Sequence, residues 1–148
     1  MTRFPVAGVF LLGCLAGVHA QDKGKKLDGH TGPVMALVGI PGGNELASAG
    51  NDGKVYVWDL ETGAKSATFD EHKGAIFALA VAPSGKLAAS AGVDGAVGVW
   101  AIKDGKTKHV LDVGKDRIAA LASNGDEVLA SGGYDGVVRL WDVTKGTE

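Results

Sequence analysis

Apolar and polar residues switch over short distances along this chain, in runs too brief for helices. Residues 54–58, Lys-Val-Tyr-Val-Trp, alternate with a period of two, the pattern of a half-buried strand. Residues 34–38 form a compact apolar run, and 45–49 a second, with the turn Pro41-Gly42-Gly43-Asn44 between them. Asn51-Asp52-Gly53 is a tight hairpin turn in which glycine supplies the positive φ. Glu61-Thr62-Gly63 turns again, before a further strand over 64–69. The pattern therefore predicts a unit of four short strands within residues 29–70. The same cycle predicts strands at 76–81, 87–91, 96–100 and 107–112, then at 118–122, 128–131 and 137–141. Residues 143–148 are too short and polar for a good fourth strand of the third unit.

The cycle is also a repeat in the residues themselves. Trp58, Trp100 and Trp141 are spaced by 42 and 41 positions, as are Asp52, Asp94 and Asp135, each followed by glycine. Ser48, Ser90 and Ser131 keep the same spacing, and His30 and His72 are 42 apart. Residues 29–70 placed on 71–112 agree at 17 of 42 positions, which shared composition does not produce. A period near 42 with one tryptophan per unit belongs to repeat architectures.

These residues carry a resemblance to a known family. Asp28-Gly29-His30, Leu46-Ala47-Ser48, Asn51-Asp52-Gly53 and Val57-Trp58-Asp59 together resemble one WD repeat of the β-propeller family, as does residues 129–142, from Leu129-Ala130-Ser131 to Leu140-Trp141-Asp142. The resemblance spans residues 25–142. It implies an all-β fold of three four-stranded antiparallel blades, approximately 29–70, 71–112 and 113–148. The family closes rings of about four to eight blades, so three make an incomplete ring. Residues 23–28 precede the first unit in phase with an outer strand and could complete the last blade or that of a partner copy, giving a six-bladed homodimer. Departures from the pattern are Glu71-His72 for Gly-His, Trp100-Ala101 for Trp-Asp, and Gly114 where a third histidine should fall.

The resemblance also assigns roles. His30, Ser48, Asp52 and Trp58 match a buried hydrogen-bond network, not a nucleophilic triad, and His72, Ser90, Asp94 and Trp100 match it again. A buried imidazole, carboxylate and indole N–H each need a partner. Ser131, Asp135 and Trp141 keep the network without a histidine. Binding positions of the family fall near the start of each first strand and before each turn aspartate. They place Met35, Phe77, Val93, Arg117 and Tyr134 on one face, an apolar and aromatic patch with an arginine beside it. Packing of Met35 and Phe77 between blades is the competing reading.

The first twenty residues change the picture of location. Met1 to Arg3 give a short positive start, residues 4–16 are uncharged and almost wholly apolar, and Val18-His19-Ala20 presents small residues where a signal peptidase reads. Residues 1–20 are thus expected to be a signal peptide, and the protein to be secreted or periplasmic. The alternative is a lipoprotein anchored at Cys14, the single cysteine. Cleavage after Ala20 leaves a chain without disulfides. The apolar run is short for a membrane span of about 20 residues.

Net charge of −2 and 22% charged residues offer no basic surface for nucleic acid. No Cys/His cluster, acidic calcium loop or phosphate-binding loop is present, so no cofactor or metal is expected. His109 lies among lysines on a predicted outer strand and is expected to be solvated. The reading is a non-catalytic scaffold for a protein or peptide ligand outside the cytoplasm. The alternatives are a structural assembly module, a part of a larger propeller, and an enzyme-associated propeller.

Overall fold

Eleven strands and no helix make up the described part of the chain; the computed structural model describes residues 24–148. The expected signal peptide, residues 1–20, lies outside the described residues. Strands β1 (Val34–Ile40), β2 (Glu45–Gly50), β3 (Val55–Asp59) and β4 (Lys65–Phe69) form one antiparallel sheet in sequence order. Strands β5 (Ile76–Val81), β6 (Leu87–Gly92), β7 (Ala96–Ala101) and β8 (Thr107–Asp112) form a second of the same order. The third sheet has three strands, β9 (Ile118–Asn124), β10 (Val128–Gly133) and β11 (Val138–Asp142). In place of a fourth it has one bridge between Asp142 and Thr147. There Val143-Thr144-Lys145-Gly146 turns the chain back, with Gly146 N–H on Asp142 C=O and Asp142 N–H on Thr147 C=O, both at 2.8 Å.

Each hairpin between the second and third strands closes on the same chemistry. Gly53, Gly95 and Gly136 take φ of 74°, 72° and 76°. A side chain disfavours that region, which explains why glycine follows each turn aspartate.

The sheets stack in chain order, with β1 against β5 and β5 against β9. Two apolar cores lie between them. Val55, Val57, Ala67 and Phe69 of the first sheet meet Ile76, Ala88, Trp100 and Ile102 of the second. Ala89, Val97, Val99 and Leu111 of the second meet Ile118, Leu129, Trp141 and Val143 of the third. One face of each central strand packs forward and the other backward, as a period of two requires. The ring these sheets begin is not closed.

Candidate functional site

The tight turn, the second strand and the loop before the first strand converge in each sheet. In the first, His30 Nδ1 lies 2.9 Å from both carboxylate oxygens of Asp52, and Nε2 lies 2.8 Å from Ser48 Oγ. Trp58 Nε1 donates to the same Ser48 Oγ at 2.7 Å. The ionised Asp52 carboxylate can only accept, so Nδ1–H of a neutral His30 donates to it and His30 Nε2 accepts the Ser48 hydroxyl proton, while the Trp58 indole takes a lone pair of the same hydroxyl. Asp52 also accepts from the backbone N–H groups of Thr31 and Lys54, at 3.1 and 3.2 Å. Burial works against the ionised Asp52 carboxylate, but the His30 bond and these backbone donors outweigh it and hold its pKa below the ordinary value. Tyr56 packs edge-on to His30 and Trp58, and Lys65 Nζ sits 3.8 Å from the Tyr56 ring centre.

The serine, histidine and aspartate therefore stand in the order of a nucleophilic triad. The hydroxyl, however, is buried with an indole N–H directed at it. A nucleophile needs open approach to its oxygen; this one has none.

The second sheet repeats half of the arrangement. His72 bonds Asp94 Oδ2 and Ser90 Oγ, both at 2.9 Å, and Asp94 accepts from the N–H of Lys73 and Ala96. Burial again opposes ionisation of Asp94, and Lys73 N–H and His72 again lower its pKa overall. Trp100 departs from the expected network: its indole N–H is buried and has no partner. Gly98 stands where the first sheet has Tyr56. Phe69 fills the room against Gly98 and stacks on the Trp100 ring, with centroids 5.7 Å apart.

The third sheet finds a substitute for its missing histidine. Trp141 Nε1 donates to Ser131 Oγ at 2.8 Å, and Arg139 Nη1 reaches Asp135 Oδ2 at 2.5 Å. Val137 N–H and Arg139 both lower the Asp135 pKa. Arg139 was not among the expected network residues. Its signal was an arginine four positions after the turn aspartate, in the one repeat without a histidine.

The expected binding residues cluster at one end of the sheets. Asn51 N–H bonds Pro33 C=O, Val93 N–H bonds Ala75 C=O, and Tyr134 N–H bonds Arg117 C=O, at 2.9, 3.0 and 2.9 Å. The turn residue and the residue before each first strand are thus neighbours in all three sheets. A bulge then interrupts each first strand, between Val34 and Ala36, between Ile76 and Ala78, and opposite Gly132 and Gly133. It leaves Met35, Phe77 and Ala119 out of the ladder, a device that re-aims a side chain. Met35, Arg117 and Tyr134 are exposed; Phe77 and Val93 are half-buried. Phe77 thus combines the two readings, showing part of its ring and packing the rest.

Elsewhere the described residues hold no cluster of three metal-ligating side chains. A crevice between the second and third sheets, lined by Ala82, Leu87, Asp126 and Val143 among others, holds about 20 Å³. That is far below the roughly 300 Å³ of a small-molecule site. His109, expected in solvent, is half-buried beside Gly146.

Stacked antiparallel sheets, two of them with a tryptophan–serine strut and all three with a His–Asp or Arg–Asp clasp, define a β-propeller repeat protein. The sequence profile of the WD domain, G-beta repeat, family matches residues 21–59, 63–101 and 105–142. The chain belongs to this family. The second and third matched units each straddle two sheets, running from an outer strand through the third strand of the next.

Among solved structures, the β-propeller domain of Cps50 (Swd1) from Myceliophteria thermophila is similar, with a TM-score of 0.71 and 24% identity over 78% of this chain and 37% of that one. A probable cytosolic Fe-S cluster assembly factor of Schizosaccharomyces pombe is 58% identical over 33 residues, 22% of this chain and 5% of that protein. The chain thus spans about a third of the similar propeller and a twentieth of the similar curated protein.

Proposed function

We propose that this chain is a non-catalytic protein- or peptide-binding scaffold working outside the cytoplasm. The propeller fold supports an interaction scaffold in general. The observation that carries the finer reading is the rim where Tyr134 and Arg117 are joined through their backbones and exposed, with Met35 exposed and Phe77 half-exposed at equivalent ends of the neighbouring sheets. Aromatic residues beside an arginine suit an interface centre, because they lose broad apolar area from water and keep a polar handle. The amino-terminal residues, read as a signal peptide, support the location. The match to the cytosolic assembly factor is about one repeat long, so it supports the repeat and nothing more specific.

The test is affinity capture from the exported protein fraction, followed by titration of whatever the wild type retains. Phe77→Ala and Tyr134→Ala should weaken that binding while thermal unfolding stays cooperative. Normal binding by both variants, with loss instead from changes at the opposite turns near Thr62 and Asp104, would place the site elsewhere.

A further inference from the structure

The two seams between the sheets use the same repeat positions but are not filled alike. At the end away from Tyr134 and Arg117, Ile40 of the first sheet and Ile102 after β7 are buried in the first seam. Their repeat equivalents in the second seam are the smaller Ala82 and Val143. Val38 and Val81 are likewise matched by Ala80 and Ser123. Only Leu129, at the position of Ala88, returns volume. Four positions shrink and one grows, and all five line the crevice of about 20 Å³ between the second and third sheets.

The turn glycines show the same difference from the other wall. A Cβ on Gly85, between β5 and β6, would lie 3.5 Å from Ile40 Cγ2 and closer still to the Pro41 carbonyl. Gly125 takes the positive φ of the corresponding turn between β9 and β10, 73° against 69°, and a Cβ there would meet nothing within 4 Å. The second seam is thus open at Gly125, where Ile40 shuts the first. Its wall is apolar apart from Ser123 and Asp126. The Ser123 hydroxyl donates to Val81 C=O at 2.7 Å. Asp126 is exposed, accepts from Ser84 N–H at 3.0 Å, and is the one charged residue of that wall. Val128 extends the apolar surface outward, 37% exposed.

We propose that this crevice is an anchor pocket for a partner segment that carries a branched aliphatic side chain next to a lysine or arginine. The first seam shows the fit, because the chain seats its own Ile40 there. The space is about what one water-sized group needs, so the methyl end of the side chain enters and its stem lies over Val128. It is too small for a separate organic molecule, which needs roughly 300 Å³. The anchor is therefore delivered by a chain lying across the opening. Charge selects the neighbour of the anchor. An ammonium or guanidinium reaches the Asp126 carboxylate in a charge-assisted hydrogen bond, whereas an acidic residue would face Asp126 and Glu127 together. This site is separate from the rim of Tyr134 and Arg117, at the other end of the strands.

Amide NMR of the isotope-labelled full chain tests the pocket, with the capped peptide acetyl-Lys-Ile-Lys-amide as probe. Its addition should shift the signals of Ala82, Gly125 and Leu129 to saturation. Acetyl-Lys-Ala-Lys-amide and acetyl-Glu-Ile-Glu-amide should each bind about tenfold more weakly, through lost methyl burial and lost charge contact respectively. Ala82→Ile restores the side chain of the first seam and should abolish the shifts at Gly125 while unfolding stays cooperative. Ala82→Val is the smaller step if isoleucine crowds the seam, and should weaken binding. Asp126→Asn keeps an acceptor for Ser84 N–H and should erase the preference for the lysine peptide over the glutamate one. Tyr134→Ala should change none of this, which separates the crevice from the rim. The proposal is overturned by the absence of saturable shifts at the crevice, by equal binding of the alanine peptide, by binding that survives both Ala82 variants, or by a charge preference unchanged in Asp126→Asn.

Discussion

Arg139 grips Asp135 from within the strand that follows the turn, where His30 and His72 grip Asp52 and Asp94 from the loop before the sheet. The aspartate keeps its backbone partner, Val137 N–H, in place of the Lys54 and Ala96 N–H groups. Only the direction of the clasp changes, from between loop and turn to within one hairpin. The third sheet consequently lacks a side-chain tie between its turn and the chain entering β9. Arg139→Ala should lower the thermal midpoint, and Arg139→Lys should restore it only in part, since an ammonium lacks the planar fork. A midpoint unchanged in Arg139→Ala would contradict this.

The serines should differ in what they hold. Ser48→Ala strands both the Trp58 indole N–H and His30 Nε2, whereas Ser90→Ala strands His72 Nε2 alone. A buried group left without a partner costs about 1–3 kcal/mol. Urea unfolding should therefore show Ser48→Ala to be the more destabilised, by about one such group. Equal losses would mean that Trp58 finds another acceptor.

Asp94→Ala should cost about 1–3 kcal/mol through the donors of His72, Lys73 and Ala96 that it leaves behind. A denaturation midpoint within error of the wild type would remove Asp94 from the supporting network.

Acid should weaken the fold through the same carboxylates. Asp52 and Asp94 have folded pKa values below their ordinary one. The stability they supply is present above the unfolded pKa of about 3.9 and is lost as pH falls through the folded value. The urea midpoint should drop on acidifying below about pH 4. That drop should be shallower in Asp52→Asn with Asp94→Asn; an identical slope in the variant would assign acid sensitivity to other groups.

Export can be read from mass alone. Protein recovered from the exported fraction should begin at Gln21, lacking residues 1–20. An intact Met1 or a lipid on Cys14 would count against cleavage after Ala20.

The strands were legible because alternation, turn glycines and the 42-residue period agree with one another, and β8 falls on the predicted 107–112. The networks of the first sheet were legible because serine, histidine, aspartate and tryptophan recur in phase. Trp100 was not, because its ring stacks on Phe69 from the sheet before it, beside Gly98, and the in-phase spacing of the network residues carries no signal of that contact. Arg139 was hidden for a related reason: its partner lies four residues away, outside the spacing shared by the other repeats. The faces of the end sheets were misleading in one respect. Val138 and Leu140 have the alternation of core residues, and sequence says nothing about whether a neighbour stands in front of them.

Trp100 gives the seam between the first two sheets an optical signature. Its indole is fully buried, stacked by Phe69 and free of any hydrogen bond, whereas Trp58 and Trp141 each donate to a serine. Emission from such a ring lies to the blue of an indole in water. Parting of the first sheet from the second would move it to the red before either of the other tryptophans need respond, so the chain reports the opening of its own seam without a label.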